Sequence, residues 1–344
     1  MHHFHRRLSA ALLIVALLLT LSLPVAAAED ILEPTVCPPA AEAPAFVLDS
    51  PANIPILMYH HVAECETYNS MTVSPQRFEA DMIFLRDNGF TSLLPADLEA
   101  ITRGEMPMPA RPVMITFDDG YESNYLNAFP ILKATQMKAA ISLITQLVRT
   151  EDGKGSGWAL SWKQCQEMYD SGLVDFGSHS WSLHNNENSL QLIPGGVNGI
   201  VRLPEETHED YILRVGADLQ RSVETIESTL GSTVRLYTYP FGFTDAWFFP
   251  LLEEAGIPLA VTTTAKMADL NGNLLNLPRF RVDMKHSLGQ MSGIKKIIED
   301  SGPLPLPADV ERAKREALWE AIVLLRQRLS PIVIPGSARN PPLQ

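Results

Sequence analysis

An apolar, β-prone run over 113–117 ends abruptly at Asp118, Asp119 and Gly120, and this stretch constrains the fold more than any other. A short apolar run is typical of a strand buried on both faces of a parallel sheet. The residues after such strands lie at the carboxyl edge of the sheet, where α/β proteins carry out their chemistry. Two neighbouring carboxylates repel each other in a buried pocket, so a cation beside one of them would stabilise the pair. The same residues could instead form a turn and a helix N-cap.

Strands and helices alternate along most of the chain. Helical patterns begin at Ser74 or Pro75, at Glu122, at Ser161 and at Glu205, and Gly231 ends the last of these. We predict strands at 54–62, 90–94, 113–117, 139–144, 173–176, 236–239, 259–263 and 277–282. Roughly seven or eight strands separated by helices favour an α/β fold with a closed or nearly closed parallel barrel.

The two ends of the chain differ from its middle. Residues 1–28 have a basic start, an apolar run and small residues before Glu29, which predicts a cleaved secretory signal; an uncleaved membrane anchor is the alternative. The Pro- and Ala-rich residues 29–53 predict a linker. Residues 301–344 predict a C-terminal helix, capped by Asp309, and a tail; the helix would pack on the barrel or dock a partner. The protein is therefore expected to be secreted or associated with the cell envelope.

Net charge and cysteine content exclude several classes of protein. A formal charge of −13 lacks the basic footprint that nucleic acid or anionic lipid requires. The three cysteines, Cys37, Cys65 and Cys165, allow at most one disulfide and no cysteine-rich zinc site. We expect Cys165 to be a buried free thiol in a helix.

A second polar stretch follows the predicted strand at 173–176 and contains His179 and His184. On a helix these side chains would point about 140° apart, so they could bind one ion only from a strand end and its loop. Two such histidines and Asp119 are a set of metal ligands found in metal-dependent hydrolases, because three protein ligands leave coordination positions open. Zn²⁺ is the default ion for this set. Each histidine could also be an ordinary structural residue.

The third stretch is Tyr239-Pro240-Phe241-Gly242, which could be a plain turn after a strand. Proline could also fix the backbone so that the Phe241 N–H points into the site as an oxyanion donor.

These three stretches, in this order and spacing, resemble the motifs of the polysaccharide deacetylase family, carbohydrate esterase family four. The resemblance covers about residues 54–282 and implies a distorted (β/α)7 barrel, with the catalytic domain at 54–300. It implies that Asp118 is the catalytic base and that Asp119, His179 and His184 bind the metal.

Two departures from the usual pattern resemble the branch that deacetylates exported poly-β-1,6-N-acetylglucosamine. Four residues, rather than three, separate the histidines, and the usual C-terminal Leu-x-His acid is not evident. In that branch the acid comes from an N-terminal Tyr-His strand, which Tyr59-His60 matches. We therefore prefer His60 to His286 as the acid, and to His61 because alternation turns His61 away. Arg279 resembles the arginine that pairs with the base aspartate, and Thr238 stands where many members have that arginine.

The resemblance thus implies a metal-dependent hydrolase that releases acetate from N-acetylglucosamine units of an extracellular or cell-wall polysaccharide. Trp181, Tyr121 and Tyr239 could stack on sugar rings, or could pack in the core. The alternatives are a peptidoglycan deacetylase and an O-acetyl polysaccharide esterase. A non-catalytic glycan-binding module would be expected to lack some of the ligands, and none is missing here.

Overall fold

The computed structural model describes residues 52–64, 69–184, 199–203 and 205–302, together with Trp319 and Ile322. The predicted signal at 1–28, Cys37, Cys65 and nearly all of the predicted linker and C-terminal helix lie outside the described residues. In the described ranges no helix is long and apolar enough to cross a membrane. Cys165 is buried and forms no disulfide, as expected.

The central feature is a parallel sheet of eight strands that curls into an incomplete barrel. The strands of this sheet are β2 (Ile56–Tyr59), β5 (Thr91–Leu93), β6 (Pro112–Phe117), β7 (Ala139–Leu143), β8 (Val174–Ser178), β9 (Leu236–Thr238), β10 (Leu259–Val261) and β12 (Phe280–Arg281). Their order in the sheet is β10-β9-β8-β7-β6-β2-β12, and β5 pairs with the first half of β6. The α/β barrel predicted from the alternation is confirmed.

Four short strands form two further pairs. β1 (Asn53–Ile54) runs antiparallel to β11 (Ala268–Asp269), so the last residue of the predicted linker, Asn53, already belongs to a sheet. β3 (His61–Val62) pairs in parallel with β4 (Thr72–Val73).

Most of the helices cover the outer face of the sheet, whereas the helix Pro95–Thr102 packs through Leu98 and Ile101 on the apolar cluster of the inner face. The helices are α1 (Pro75–Asp87), α2 (Pro95–Thr102), α3 (Phe129–Thr135), α4 (Trp162–Asp170), α5 (His208–Leu230), α6 (Phe249–Glu254) and α7 (Ser292–Ser301). The hydroxyls of Ser74, Ser161 and Thr207 cap α1, α4 and α5 by accepting backbone N–H bonds. The helix predicted from Glu122 differs, because a π-helical turn over Asn124–Ala128 precedes α3.

Two apolar cores lie on the two faces of the curled sheet. Strand alternation sends Val113, Ile115 and Phe117 to the outer core under the helices and Met114 to the smaller core inside the barrel. The same alternation carries Thr116 and Asp118 to the inner face. The alternation of side chains between the two faces of a strand therefore decides which of the residues after each strand reach the mouth of the barrel.

One buried carboxylate, that of Asp81, lies among the apolar side chains of the outer core. Asp81 on α1 accepts hydrogen bonds from the Tyr59 hydroxyl at 3.1 Å and from Arg77 Nε at 2.8 Å. Burial raises the pKa of Asp81 from 3.8 to about 6, although Arg77 opposes the shift. The folded state therefore holds this proton more tightly than the unfolded chain does.

We expect wild-type stability, relative to Asp81→Asn, to be greatest below pH 4 and to fall as the pH rises towards 6. A pKa raised by about two units corresponds to a loss of about 3 kcal/mol across this window. Denaturant unfolding of both proteins between pH 4 and 7 measures the difference. A difference that does not change with pH would contradict the raised pKa.

Candidate metal centre and catalytic site

The site lies at the carboxyl edge of the barrel, where three parallel strands end. Asp118 and Asp119 follow β6, His60 follows β2 and His179 follows β8. All four side chains are at least 90% buried. Because the strands are parallel and in register, residues distant in sequence meet at one edge.

Asp119, His179 and His184 form a group able to hold a metal ion. Asp119 Oδ1 lies 3.4 Å from the Nε2 atoms of both His179 and His184. Metal–ligand bonds of about 2.0–2.1 Å at tetrahedral angles place neighbouring ligand atoms about 3.3 Å apart, so the spacing fits. Asp119 Oδ1 is also buried without a hydrogen-bond partner, as expected of an atom that binds a cation. Two imidazoles and one carboxylate are a donor set typical of zinc.

The turn after β6 separates the two adjacent carboxylates. Asp119 and Gly120 both have positive φ, at 72° and 73°. A Cβ atom on Gly120 would lie 2.7 Å from Leu143 Cδ2, so this position favours glycine for two reasons. The turn lets Asp119 face the histidines while Asp118 faces Arg279.

A hydrogen bond fixes the tautomer of His179, and burial keeps His184 neutral. His179 Nδ1 lies 2.7 Å from the Thr238 carbonyl oxygen, which can only accept. Nδ1 therefore carries the proton, and in the neutral ring the Nε2 lone pair faces Asp119. Burial lowers the pKa of His184 to about 4, so this ring is neutral at pH 7.

Arg279 makes a two-pronged contact with Asp118. Its Nη1 and Nη2 atoms donate to Oδ1 at 2.7 Å and to Oδ2 at 2.8 Å. The guanidinium is fully buried, and Nε also donates to the Thr262 carbonyl at 2.8 Å. Burial alone would raise the pKa of Asp118, but Arg279 outweighs it and the pKa falls. Asp118 is therefore an oriented carboxylate anion.

The three histidines considered for the acid role lie in different places. His60 Nε2 is 3.7 Å from Asp118 Oδ2, at the mouth of the barrel. His61 faces Ser123, with Nδ1 2.6 Å from the hydroxyl oxygen. The His286 side chain is 70% exposed and pairs with Asp283. Of these, His60 is the histidine beside the paired carboxylate.

Comparisons with known proteins agree with this geometry. The sequence profile described as polysaccharide deacetylase matches residues 105–260. Poly-β-1,6-N-acetyl-D-glucosamine N-deacetylase from Escherichia coli K12 is 25% identical over 72% of this chain and 39% of its own length. The Staphylococcus aureus MSSA476 protein of that name is 26% identical over 66% of this chain and 77% of its own. The solved structure of IcaB from Ammonifex degensii is 25% identical and has a TM-score of 0.57, covering 72% of this chain and 97% of its own.

Residues 105–260 of this chain therefore form a polysaccharide deacetylase domain. The prediction that it is an enzyme is confirmed. Its barrel belongs to the (β/α)7 type that the resemblance implied.

The third motif forms one wall of the deacetylase site. Phe241 adopts a left-handed conformation, with φ 59° and ψ 5°, and its ring lies 4.4 Å from that of His184. Tyr239 does not reach the site, contrary to prediction. Alternation along β9 sends it outward with Tyr237; its side chain is fully buried, and its hydroxyl donates to the Leu275 carbonyl.

Of the other two predicted aromatic residues, Tyr121 lies beside the site, next to Asp119. Tyr121 is half-buried; burial, the Asp119 charge and a hydrogen bond to Asp119 raise its pKa. Trp181 is also half-buried, and Arg221 covers one face of its ring at 3.9 Å. The sequence interpretation missed Trp158, whose ring lies 4.8 Å from that of Tyr121. Its place in a glycine-rich loop gave no periodic signal.

Supporting polar residues were also missed. The Asn124 amide donates to the His60 carbonyl at 2.8 Å and so fixes the end of β2. Thr116 accepts from Arg279 Nη1 at 2.9 Å. Thr116 stands two residues before Asp118 on the same strand face, so alternation was the available signal.

Proposed function

We propose that this protein is a metal-dependent N-deacetylase acting on N-acetylglucosamine units of an exported polysaccharide, most specifically poly-β-1,6-N-acetylglucosamine. The observation that supports this proposal most strongly is the group of three possible metal ligands, Asp119, His179 and His184. This group lies next to Asp118, whose carboxylate is paired with Arg279. The names of the Escherichia coli and Staphylococcus aureus relatives support the polymer.

A divalent ion, Zn²⁺ by the chemistry of its donors, would be held by Asp119, His179 and His184. When bound, it acidifies water and polarises the acetyl carbonyl. Asp118 is the general base, which takes a proton from the water that attacks the carbonyl carbon. The bidentate contact with Arg279 keeps Asp118 ionised and aimed for this step.

His60 delivers a proton to the leaving nitrogen. An amide nitrogen leaves poorly as an anion, so it must be protonated as its bond to the acetyl carbon breaks. Burial lowers the pKa of His60 despite the nearby aspartates, so the ring is neutral at rest. His60 Nε2 lies 3.7 Å from Asp118 Oδ2, which is longer than a hydrogen bond. The proton that Asp118 takes from water therefore reaches His60 through one bridging water or after the two side chains approach each other in the substrate complex, and His60 then passes it to the amine. The products are acetate and a glucosamine unit.

The Phe241 backbone N–H is the proposed oxyanion donor. Such a donor contributes roughly 3 kcal/mol to transition-state stabilisation when it is preorganised. The left-handed backbone at Phe241, between Pro240 and Gly242, supplies the preorganised geometry. Tyr121, Trp181 and Trp158 are proposed to contact sugar rings at the mouth of the barrel.

We also propose that the enzyme works outside the cytoplasm, as a secreted or envelope-associated protein. Residues 1–28 carry the features of a secretory signal, and the proposed substrate is exported.

Acetate release from three polymers tests the substrate. We expect release from poly-β-1,6-N-acetylglucosamine to exceed that from chitin oligomers and peptidoglycan by at least about tenfold, since a few lost contacts produce such a ratio. A parallel assay in chelator, followed by added Zn²⁺, isolates the metal-dependent activity. Faster release from peptidoglycan would make the protein a cell-wall deacetylase, and release only from O-acetylated polymers would make it an esterase.

A further inference from the structure

The loop between the two histidines is fixed by α5, a helix that contributes no metal ligand. The Asp218 carboxylate accepts the backbone N–H of Trp181 on Oδ1 and that of Ser182 on Oδ2, both at 2.8 Å. Asp218 is only 9% exposed. A buried carboxylate that binds two successive amides holds both the position and the orientation of that backbone.

Two neighbours of Asp218 act on the same loop. Asp218, Arg221 and Ser222 are spaced by three and four residues, so they share one face of α5. Arg221 packs on the Trp181 ring at 3.9 Å. The Ser222 hydroxyl lies 2.7 Å from that of Ser178, the last residue of β8.

The opposite side of the loop is bound to the segment after β7. Thr145 N–H donates to the Ser180 carbonyl and Gln146 N–H to the Trp181 carbonyl, both at 3.1 Å. Ser180 has φ 73°, a left-handed conformation that disfavours non-glycine residues. Hydrogen bonds on both sides of the loop therefore stabilise a backbone that the sequence alone does not favour.

His184 depends on this loop more than the other two proposed ligands do. Asp119 stands two residues after β6 and His179 one residue after β8, whereas His184 stands six residues beyond the end of β8. A shift of the loop would move Nε2 of His184 away from its place 3.4 Å from Asp119 Oδ1. Metal affinity falls steeply when one ligand is displaced from its bonding distance.

We propose that Asp218 is a positioning residue for the metal site: by holding the amides of Trp181 and Ser182, it places His184 against Asp119 and His179. This inference rests on the proposed function, because it assumes that these three residues bind a divalent ion.

Metal affinity of the full-length, metal-stripped protein tests the inference. Asp218→Asn places an amide NH₂ against one of the two backbone N–H groups, and we expect it to weaken Zn²⁺ binding by about 10- to 100-fold in competition with a chromogenic chelator. Glu224→Gln, on an exposed part of the same helix, is the matched control and should leave the affinity unchanged. Thermal unfolding of the metal-free variants reports separately on a general loss of stability.

The outcomes separate the two proposals. If the wild type binds Zn²⁺ and Asp218→Asn binds it equally well, the positioning role is wrong and the proposed function stands. If the wild type binds no divalent ion, both proposals fail. Should Asp218→Asn not fold, amide hydrogen exchange of the wild type decides: slow exchange at Trp181 and Ser182 supports the role of Asp218, and exchange as fast as in an open loop overturns it.

Discussion

Asp118→Asn is expected to lower kcat for acetate release by about a thousandfold while leaving the metal content unchanged. Asparagine keeps the shape of the side chain and one oxygen that can accept from Arg279, but it cannot take a proton from water. Loss of a positioned general base reduces turnover by about 10²- to 10⁴-fold. The measurement is acetate release at saturating polymer, with zinc content determined on the same sample.

Asp119→Asn is the matched comparison, because it changes the neighbouring carboxylate in the same way. Asp119 Oδ1 is the atom that lies 3.4 Å from both imidazoles, so this variant should lose bound metal together with activity. Turnover near the wild-type level in Asp118→Asn would remove Asp118 from the base role. Loss of metal in both variants would contradict the proposal that Asp119 binds the metal while Asp118 acts only as the base.

Most of the candidate site residues at the carboxyl edge of the sheet could be predicted from local sequence patterns. Apolar runs that stop at polar residues indicated the ends of β2, β6 and β8, and parallel strands necessarily gather such ends at one edge. Alternation then indicated that His60, rather than His61, faces inward. The same rule, applied from Tyr237, would have sent Tyr239 to the outer core, so that error had a signal in the sequence.

Other parts of the site depend on contacts between distant segments. Arg279 reaches Asp118 because residues 277–279 run across the gap beyond β10, where Leu277 exchanges backbone hydrogen bonds with Ala260 and Thr262. Apolar spacing on α5 predicts a helix that packs on the barrel, but it does not say which loop Asp218 will meet. Left-handed conformations at Asp119 and Ser180 carry no signal either, since neither residue is glycine.

Arg279→Met is expected to lower the free energy of unfolding of the metal-free protein by about 3–5 kcal/mol. The Arg279 side chain is fully buried and that of Asp118 is 3% exposed, so removing the cation leaves an unpaired carboxylate in a low-dielectric pocket. The neighbouring Asp119 carboxylate adds repulsion. Denaturant unfolding followed by circular dichroism measures the change.

A surface pair and a double variant test this explanation. Lys296→Met breaks a pair with Asp300 in which the side chains are 64% and 49% exposed, and it should change stability by less than about 1 kcal/mol. If the unpaired carboxylate causes the loss, then Asp118→Asn combined with Arg279→Met should be more stable than Arg279→Met alone, since the second change removes the buried charge. Equal stability of the single and double variants would instead assign the loss to packing around the methionine. The ion pair would then serve only to orient Asp118, and its removal should still reduce acetate release.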